Sequence, residues 1–199
     1  MLVQGIKSRP VYEGLKIDPY AKRHIFALEG EGALALLEQT LTPEVLARSE
    51  ILYTAGASRQ KEHFPALSAL GADICWQAPS VETLLFRLNG ALVNASMSTR
   101  LYISGTEGFI GQAMELGTEF GMDYKSIATE HRGSLARRVQ CVHCKGITEN
   151  VTVSPFICSH CGLSLLVRDH YSRRLAAFQG VNIDAEEPGT APKPEELFS

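Results

Sequence analysis

The sequence lacks a long apolar run and any excess of positive charge. No stretch of eighteen apolar residues occurs, and residues 1–10 lack the apolar segment of a signal peptide. The formal net charge is −3 over 199 residues, which provides no general attraction to nucleic acid or to anionic lipid. These absences favour a cytoplasmic protein that binds neither membranes nor nucleic acid.

Familiar catalytic arrangements are missing as well. No Ser–His–Asp set, pair of carboxylates or open metal site can be assembled from the spacing of the residues. The remaining composition, with 45% hydrophobic and 21% charged residues, is typical of a globular protein. The length suits one ordinary domain and a small module. We therefore expect that this chain alone does not catalyse a reaction.

Four of the five cysteines form two C-x-x-C pairs, Cys141 with Cys144 and Cys158 with Cys161. In a reducing compartment such pairs indicate metal ligands rather than disulfides. Each pair can hold two thiolates about 3.5–4 Å apart, as on one edge of a tetrahedron around a metal. We predict that all four cysteines bind one structural zinc ion in a ribbon over residues 133–183. Four protein ligands leave no open position for catalysis.

Other interpretations of this module stay open. A rubredoxin-like single iron uses the same ligand geometry, whereas the spacing of a plant-type iron–sulfur site is absent. His143 and His160 lie inside the two pairs and could compete as ligands, although exposure or hydrogen bonding is the favoured interpretation. Cys75 lies in a predicted strand, and we interpret it as an inert core residue.

From residue 24 onward, short β-prone runs alternate with helical segments. Strands are predicted at residues 24–28, 50–55, 73–76, 99–104 and 124–129. Helical segments between successive strands imply right-handed crossovers and a parallel sheet. The pattern predicts an α/β fold, a small doubly wound parallel sheet over residues 24–132, preceded by an N-terminal extension at 1–23.

Two turns in this domain are candidates for binding a nucleotide. Glu29-Gly-Glu-Gly32 follows a strand and opens a helix, where parallel sheets bind anions, although its glutamates would repel a phosphate. Gly56-Ala-Ser-Arg59 follows the second strand, and Arg59 could pair with a ribose 2′-phosphate. A solvated loop arginine explains Arg59 equally well.

Residues 24–130 resemble the NAD(P)-binding domain of the ferredoxin reductase family, especially the phthalate dioxygenase reductase type. The matching segments are 24–37, 53–59 with Phe64, and 101–110. The resemblance implies that NADPH could bind at Gly30, Gly32, Ser58, Arg59, Gly105 and Thr106. Ser104 stands where that family has cysteine and Thr106 where it has proline, and 23 residues are too few for a preceding flavin barrel. We expect a reductase fold without the full reductase chemistry, used as a docking platform.

The C-terminal part is similar to the small subunit of bacterial dimethylamine monooxygenases. The similarity is carried by the Cys158-Ser-His-Cys-Gly-Leu-Ser-Leu-Leu-Val-Arg168 segment and by residues 169–181 directly after it. It implies an NADPH- and O2-dependent complex that converts dimethylamine to methylamine and formaldehyde. Haem and a flavin/iron–sulfur reductase are then expected on partner subunits. For this chain it implies an accessory role in assembly or in docking an electron-transfer partner.

Tyr171, Leu175 and Phe178 are spaced at i, i+4 and i+7, which predicts a short helix over residues 171–179. We interpret the residues around it as a partner-docking surface, with simple packing as the alternative. The docking candidates are Asp169, His170, Tyr171, Arg173 and Arg174. Residues 184–199 are rich in proline and glutamate, which predicts a disordered tail.

Two other functions remain alternatives. Local basic residues would suit a nucleic-acid-binding zinc ribbon, although the net charge opposes it. Those residues are Arg132, Arg137, Arg138, Lys145, Arg168, Arg173 and Arg174. A stand-alone NADPH-binding regulator is the other alternative, and it depends on Ser58 and Arg59.

Overall fold

A computed structural model of the protein describes residues 8–56 and 62–198. The chain divides into two units, one formed by residues 12–133 and the other by residues 1–11 together with 134–199. In the described part of the chain, no helix has both the length and the apolar character needed to cross a bilayer.

The first unit is built on a five-stranded sheet in which every strand pair is parallel. Its strands are β1 (Arg23–Glu29), β2 (Ser49–Thr54), β3 (Ile74–Ala78), β4 (Thr99–Gly105) and β5 (Ile127–His131). Their order is β3-β2-β1-β4-β5, so the direction of winding reverses between β1 and β4. The doubly wound parallel sheet predicted from the sequence is confirmed.

Helices connect these strands. They are α1 (Gly32–Leu37), α2 (Pro43–Leu46), α3 (Phe64–Ser68), α4 (Val81–Leu92) and α5 (Glu107–Glu119), with a 3₁₀ turn at Tyr124–Ser126. Thr42 and Ser80 cap α2 and α4, because their side chains accept hydrogen bonds from the backbone N–H groups of Val45 and Thr83. Pro43 occupies the first turn of α2, where its missing N–H removes no helical bond.

Both faces of the sheet are covered. Successive side chains of a strand point to opposite faces, so Ile25 and Ala27 of β1 join the core under α4 and α5. Phe26 and Leu28 join the second core, which α1 and α3 cover. This double burial explains why the central residues 25–28 of β1 are all apolar.

The segment before β1 also belongs to this unit. The N–H of Gly14 donates to the carbonyl of Thr129 at 3.2 Å, and the N–H of Leu15 donates to Glu130 Oε2 at 3.0 Å. Leu15 is buried in the second core. Residues 12–22, part of the N-terminal extension predicted over residues 1–23, therefore pack on the sheet.

The second unit carries the four paired cysteines, and its regular structure consists of β-strands. They are β6 (Arg137–Cys141), β7 (Ile147–Val151), β8 (Val153–Ser154), β9 (Phe156–Ile157), β10 (Ser164–Ser172), β11 (Ala177–Asn182) and β12 (Glu195–Glu196). Five of them form a sheet in the order β7-β6-β11-β10-β9, and β12 pairs with β8. The predicted ribbon is present within a larger sheet.

The predicted helix over residues 171–179 is wrong. Residues 164–182 form an antiparallel hairpin in which Tyr171 lies opposite Phe178, and Ser172 lies opposite Ala177. Ala176 has a φ of 48° in the connecting turn. The aromatic rings of Tyr171 and Phe178 meet edge to face across the hairpin, with their centroids 5.1 Å apart.

The end of the tail differs from the expected disorder. Glu195 and Glu196 pair with Ser154 and Val153, and Phe198 is 8% exposed. The Arg137 guanidinium lies 4.0 Å from the ring centroid of Phe198 and 4.0 Å from that of Phe178. An arginine held between two aromatic rings thus anchors the end of the chain to the ribbon unit.

Candidate metal centre and sheet edge

The four paired cysteines come together at one point of the ribbon unit. Their sulfur atoms all lie within 4.8 Å of one another. The sulfurs of Cys141 and Cys161 are 3.8 Å apart, and those of Cys144 and Cys158 are also 3.8 Å apart. For metal–sulfur bonds near 2.3 Å, the edge of a tetrahedron is about 3.8 Å. The arrangement therefore fits one tetrahedral metal ion.

Two matching backbone turns position the sulfurs. The carbonyl of Cys141 accepts the N–H of Lys145 at 2.9 Å, and the carbonyl of Cys158 accepts the N–H of Gly162 at 3.0 Å. Lys145 and Gly162 each follow the first cysteine of their pair by four residues, and both have a positive φ, 64° and 75°. The two turns repeat one local structure, which places two thiols on each side of the site.

The thiols differ in how readily they ionise without a metal. Burial of Cys158 opposes ionisation, but the backbone N–H groups of Cys161 and His160 stabilise the thiolate and leave its pKa at about 7. The N–H of Leu163 favours ionisation of Cys161, yet the neighbouring sulfurs outweigh it and raise that pKa to about 12. Four thiolates at these distances coexist only when a metal ion neutralises them, and such sites select soft or borderline metals.

The histidines within the pairs have different surroundings. His160 Nε2 lies 2.8 Å from the carbonyl oxygen of Ile147. Gly146 makes room for this ring, because a Cβ there would lie 2.4 Å from His160 Cγ. His143 is exposed. Cys75 is half-buried in β3, and burial raises the pKa of its thiol, which agrees with an inert core residue.

The predicted docking residues separate into two groups. Asp169 pairs with Arg9 at 2.6 Å and with Arg137 at 2.9 Å; burial opposes its ionisation, but the two arginines lower its pKa. Tyr171 packs on Phe178, as described above. These two residues stabilise the ribbon unit. The exposed residues at the end of the hairpin are His170, Arg173 and Arg174.

At the carboxyl edge of the parallel sheet, the ends of β1 and β4 bring Gly30, Gly32, Gly105 and Thr106 close together. Ser58 and Arg59 lie outside the described residues. The sequence indicated repulsion between Glu29 and a phosphate, but it did not show where that side chain lies. Glu29 Oε2 accepts hydrogen bonds from the Thr106 backbone N–H at 3.0 Å and from Thr106 Oγ1 at 2.6 Å.

The chain was compared with solved structures. The crystal structure of an intact type IV self-sufficient cytochrome P450 monooxygenase superposes with a TM-score of 0.47 and 16% sequence identity. The superposition covers 85% of this chain and 22% of the P450 chain, so this chain spans about a fifth of that protein.

Comparison of the sequence with protein families and with curated proteins shows the family. Residues 4–127 match the N-terminal domain, and residues 138–181 the C-terminal domain, of the "Dimethylamine monooxygenase subunit DmmA-like" family. A curated relative, the "Heme-dependent oxidative N-demethylase delta subunit" of Ectopseudomonas mendocina (strain ymp), is 31% identical over 146 residues. That alignment covers 71% of this chain and 83% of the relative. The chain therefore belongs to the DmmA-like family of dimethylamine monooxygenase subunits.

Proposed function

We propose that this chain is an accessory subunit of a haem-dependent oxidative N-demethylase and acts in assembly and partner docking. Family membership carries the proposal, because both domains match the family and the relative bears the name of a subunit of such an enzyme. The four-cysteine site supports a role without catalysis, since a metal with four protein ligands has no position for substrate or water.

For the whole complex we propose the N-demethylation of dimethylamine. One dimethylamine, one O2, one NADPH and one proton give methylamine, formaldehyde, water and NADP⁺, so the reaction is balanced. The family description and the tail segment at residues 158–181 support this substrate. Haem and the flavin/iron–sulfur electron carriers are assigned to partner subunits in the cytoplasm.

The metal, proposed to be zinc, supplies a crosslink between the two cysteine turns when it is bound. The residues of the chain then present the outer end of the hairpin. His170, Arg173 and Arg174 are exposed there, whereas Asp169, next to His170, is held by its ion pairs with Arg9 and Arg137. We propose that this basic hairpin end contacts an acidic surface of a partner subunit.

The nucleic-acid alternative loses part of its support in the structure. Arg137 is buried between aromatic rings, and Arg138 pairs with Glu149 at 2.9 Å. Arg132 pairs with Glu38 at 2.6 Å and with Glu130 at 2.7 Å. Lys145 Nζ also donates to the carbonyl of Val142 at 2.6 Å, so these four basic residues are engaged within the chain.

The experiment that tests the proposal is a pull-down of the affinity-tagged chain, co-expressed with the genes beside its own. We expect a haem-bearing chain to co-purify, with its absorption spectrum, and we expect the isolated chain not to oxidise NADPH with an artificial electron acceptor. Arg174→Glu should weaken the association at least tenfold, whereas Lys193→Glu, the same reversal in the exposed tail, should not. Rapid NADPH oxidation by the isolated chain would contradict an accessory role.

A further inference from the structure

The most informative feature outside the metal centre is the point where the winding of the parallel sheet reverses. In open α/β sheets, ligands bind beyond the carboxyl ends of the strands at this point, and phosphates bind at helix N-termini. Here the point lies between β1 and β4, beside the N-terminus of α5. A reductase-like domain is expected to bind the NADPH pyrophosphate in this region.

The two donors of Thr106 at this point are already used by a side chain of the same unit. Glu29, the last residue of β1, directs its carboxylate at Thr106, the N-cap of α5. Glu29 Oε2 accepts both the backbone N–H of Thr106, at 3.0 Å, and its hydroxyl, at 2.6 Å. Hydrogen bonds to an ionised acceptor are among the stronger ones in proteins, and a carboxylate at a helix N-terminus is stabilised further by the helix dipole.

The glycines around the carboxylate fit it closely. Gly56 has a φ of 61°, and a Cβ there would lie 2.9 Å from Glu29 Cγ and Oε1. Gly105 has a φ of 154°, and a Cβ there would lie 2.7 Å from Glu29 Cβ and 3.0 Å from Oε2. In dinucleotide sites, glycines let the backbone approach the pyrophosphate. At this site they let the backbone approach Glu29.

The neighbouring contacts leave little space for a phosphate. A Cβ on Gly32 would lie 2.1 Å from the carbonyl oxygen of Ser104, so the start of α1 is packed directly on the end of β4. A second carboxylate, that of Glu107 in the first turn of α5, accepts the hydroxyl of Tyr12 at 3.0 Å. An incoming phosphate would meet negative charge and donors that are already occupied.

We propose that the Glu29 carboxylate is an internal substitute for the phosphate and that the α/β unit does not bind a dinucleotide. The geometry at Gly30, Gly32, Gly105 and Thr106 thus disagrees with the NADPH site that the reductase resemblance implies. NADPH used by a complex containing this chain binds to another subunit. The inference concerns this unit alone and is independent of the proposed assembly role.

The test uses the isolated full-length chain and two probes, NADPH and inorganic pyrophosphate. Calorimetric titration of the unmodified chain with NADPH up to millimolar concentration should show no saturable binding. Glu29→Ala should lower the melting temperature by about 5 °C through loss of the charged hydrogen bonds. Pyrophosphate at constant ionic strength should restore part of this loss and leave the unmodified chain unchanged.

Glu119→Ala is the matched control, because it removes the same charge from the other end of α5. It should neither lower the melting temperature nor respond to pyrophosphate. Glu29→Gln keeps the shape of the side chain and loses the charge, so its melting temperature should fall between those of the unmodified chain and Glu29→Ala. This variant remains informative if Glu29→Ala does not fold.

Saturable NADPH binding by the unmodified chain would overturn the inference, and its loss in Arg59→Ala would then support an NADPH-binding regulator. An unchanged melting temperature in Glu29→Gln would also overturn it, because the charge would then contribute nothing at the helix N-terminus.

Discussion

Replacement of one metal ligand has a defined expected effect. Cys158 is 2% exposed and belongs to the apolar core of the ribbon unit, as does Cys141. In Cys158→Ser, a hydroxyl, which is a poorer ligand for a borderline metal, replaces the thiolate. Structural zinc contributes about 10–16 kcal/mol over four ligands, so one thiolate accounts for about 3 kcal/mol, or about a hundredfold in affinity.

The loss of metal affinity in Cys158→Ser should unfold the ribbon unit at low free metal concentration. A unit this small rarely gains more than about 3–5 kcal/mol from its apolar core, so metal binding supplies most of its folding free energy. The α/β unit has two cores of its own and supplies none of the four clustered cysteines, so it should remain folded.

Metal content by mass spectrometry and limited proteolysis measure these two effects. The unmodified chain should contain about one zinc per chain and resist cleavage after residue 133, whereas Cys158→Ser should lose its metal to a weak chelator and be cleaved there. Cys75→Ser is the matched control, because the same substitution lies outside the cluster and should change neither result. A Cys158→Ser protein that retains its metal against the chelator would refute this reasoning. A reddish chain containing one iron would refute zinc.

Two further predictions concern the buried rings of the two units. Phe198→Ala should destabilise the ribbon unit by about 3 kcal/mol in denaturant melts. Leu197→Ala, at an exposed neighbour, should destabilise it by under about 0.5 kcal/mol. Equal losses in the two variants would mean that Phe198 does not anchor the tail to the ribbon unit. Burial of His24, together with the charge of Arg48, lowers its pKa below 6.5 against the opposing effect of Asp18. The unfolded chain therefore binds the extra proton, so the free energy of unfolding should fall as the pH drops from 7 to 5. His24→Phe should reduce this dependence of the free energy of unfolding on pH, measured in denaturant melts at pH 7 and pH 5. An equal pH dependence in the two proteins would contradict the assignment to His24.

The parallel sheet could be predicted because its signals are local. Each strand is a short β-prone run, and caps such as Thr42 and Ser80 mark helix starts within a few residues. Right-handed crossovers between successive strands then imply a parallel sheet. The cysteine cluster could be predicted equally well, because the short spacing within each pair fixes the distance between its two sulfur atoms wherever the rest of the chain lies.

The hairpin was mistaken for a helix because both structures can place the same residues together. Tyr171 and Phe178 are seven residues apart, which puts them on one face of a helix but also opposite each other across a hairpin with a four-residue turn. The parallel pairing of β11 with β6 decides between them, and it joins residues such as Phe178 and Val139 that are distant in sequence. The local periodicity of residues 171–179 contains no information about pairing with a strand so distant in sequence.

The contact between Glu29 and Thr106 could not be predicted from the sequence either. The Glu29 carboxylate and the Thr106 donors that bond to it are 77 residues apart, and the parallel pairing of β1 with β4 brings them together. The sequence shows a glutamate in a glycine-rich turn, which suggests repulsion of a phosphate. It does not show that the same carboxylate satisfies the helix N-terminus.

The ribbon unit has a consequence for the order in which the chain is synthesised. The N–H of Ser8 donates to the carbonyl of Asp169 at 2.9 Å, and the side chain of Arg9 pairs with Asp169 across 160 residues. At about 5–20 residues per second, a ribosome needs about 10–30 seconds to make the chain between them. The α/β unit, encoded in that interval, is complete before the ribbon can close. We expect nascent residues 8 and 9 to remain unpaired with Asp169 until translation has nearly ended, so the ribbon unit is completed after the α/β unit.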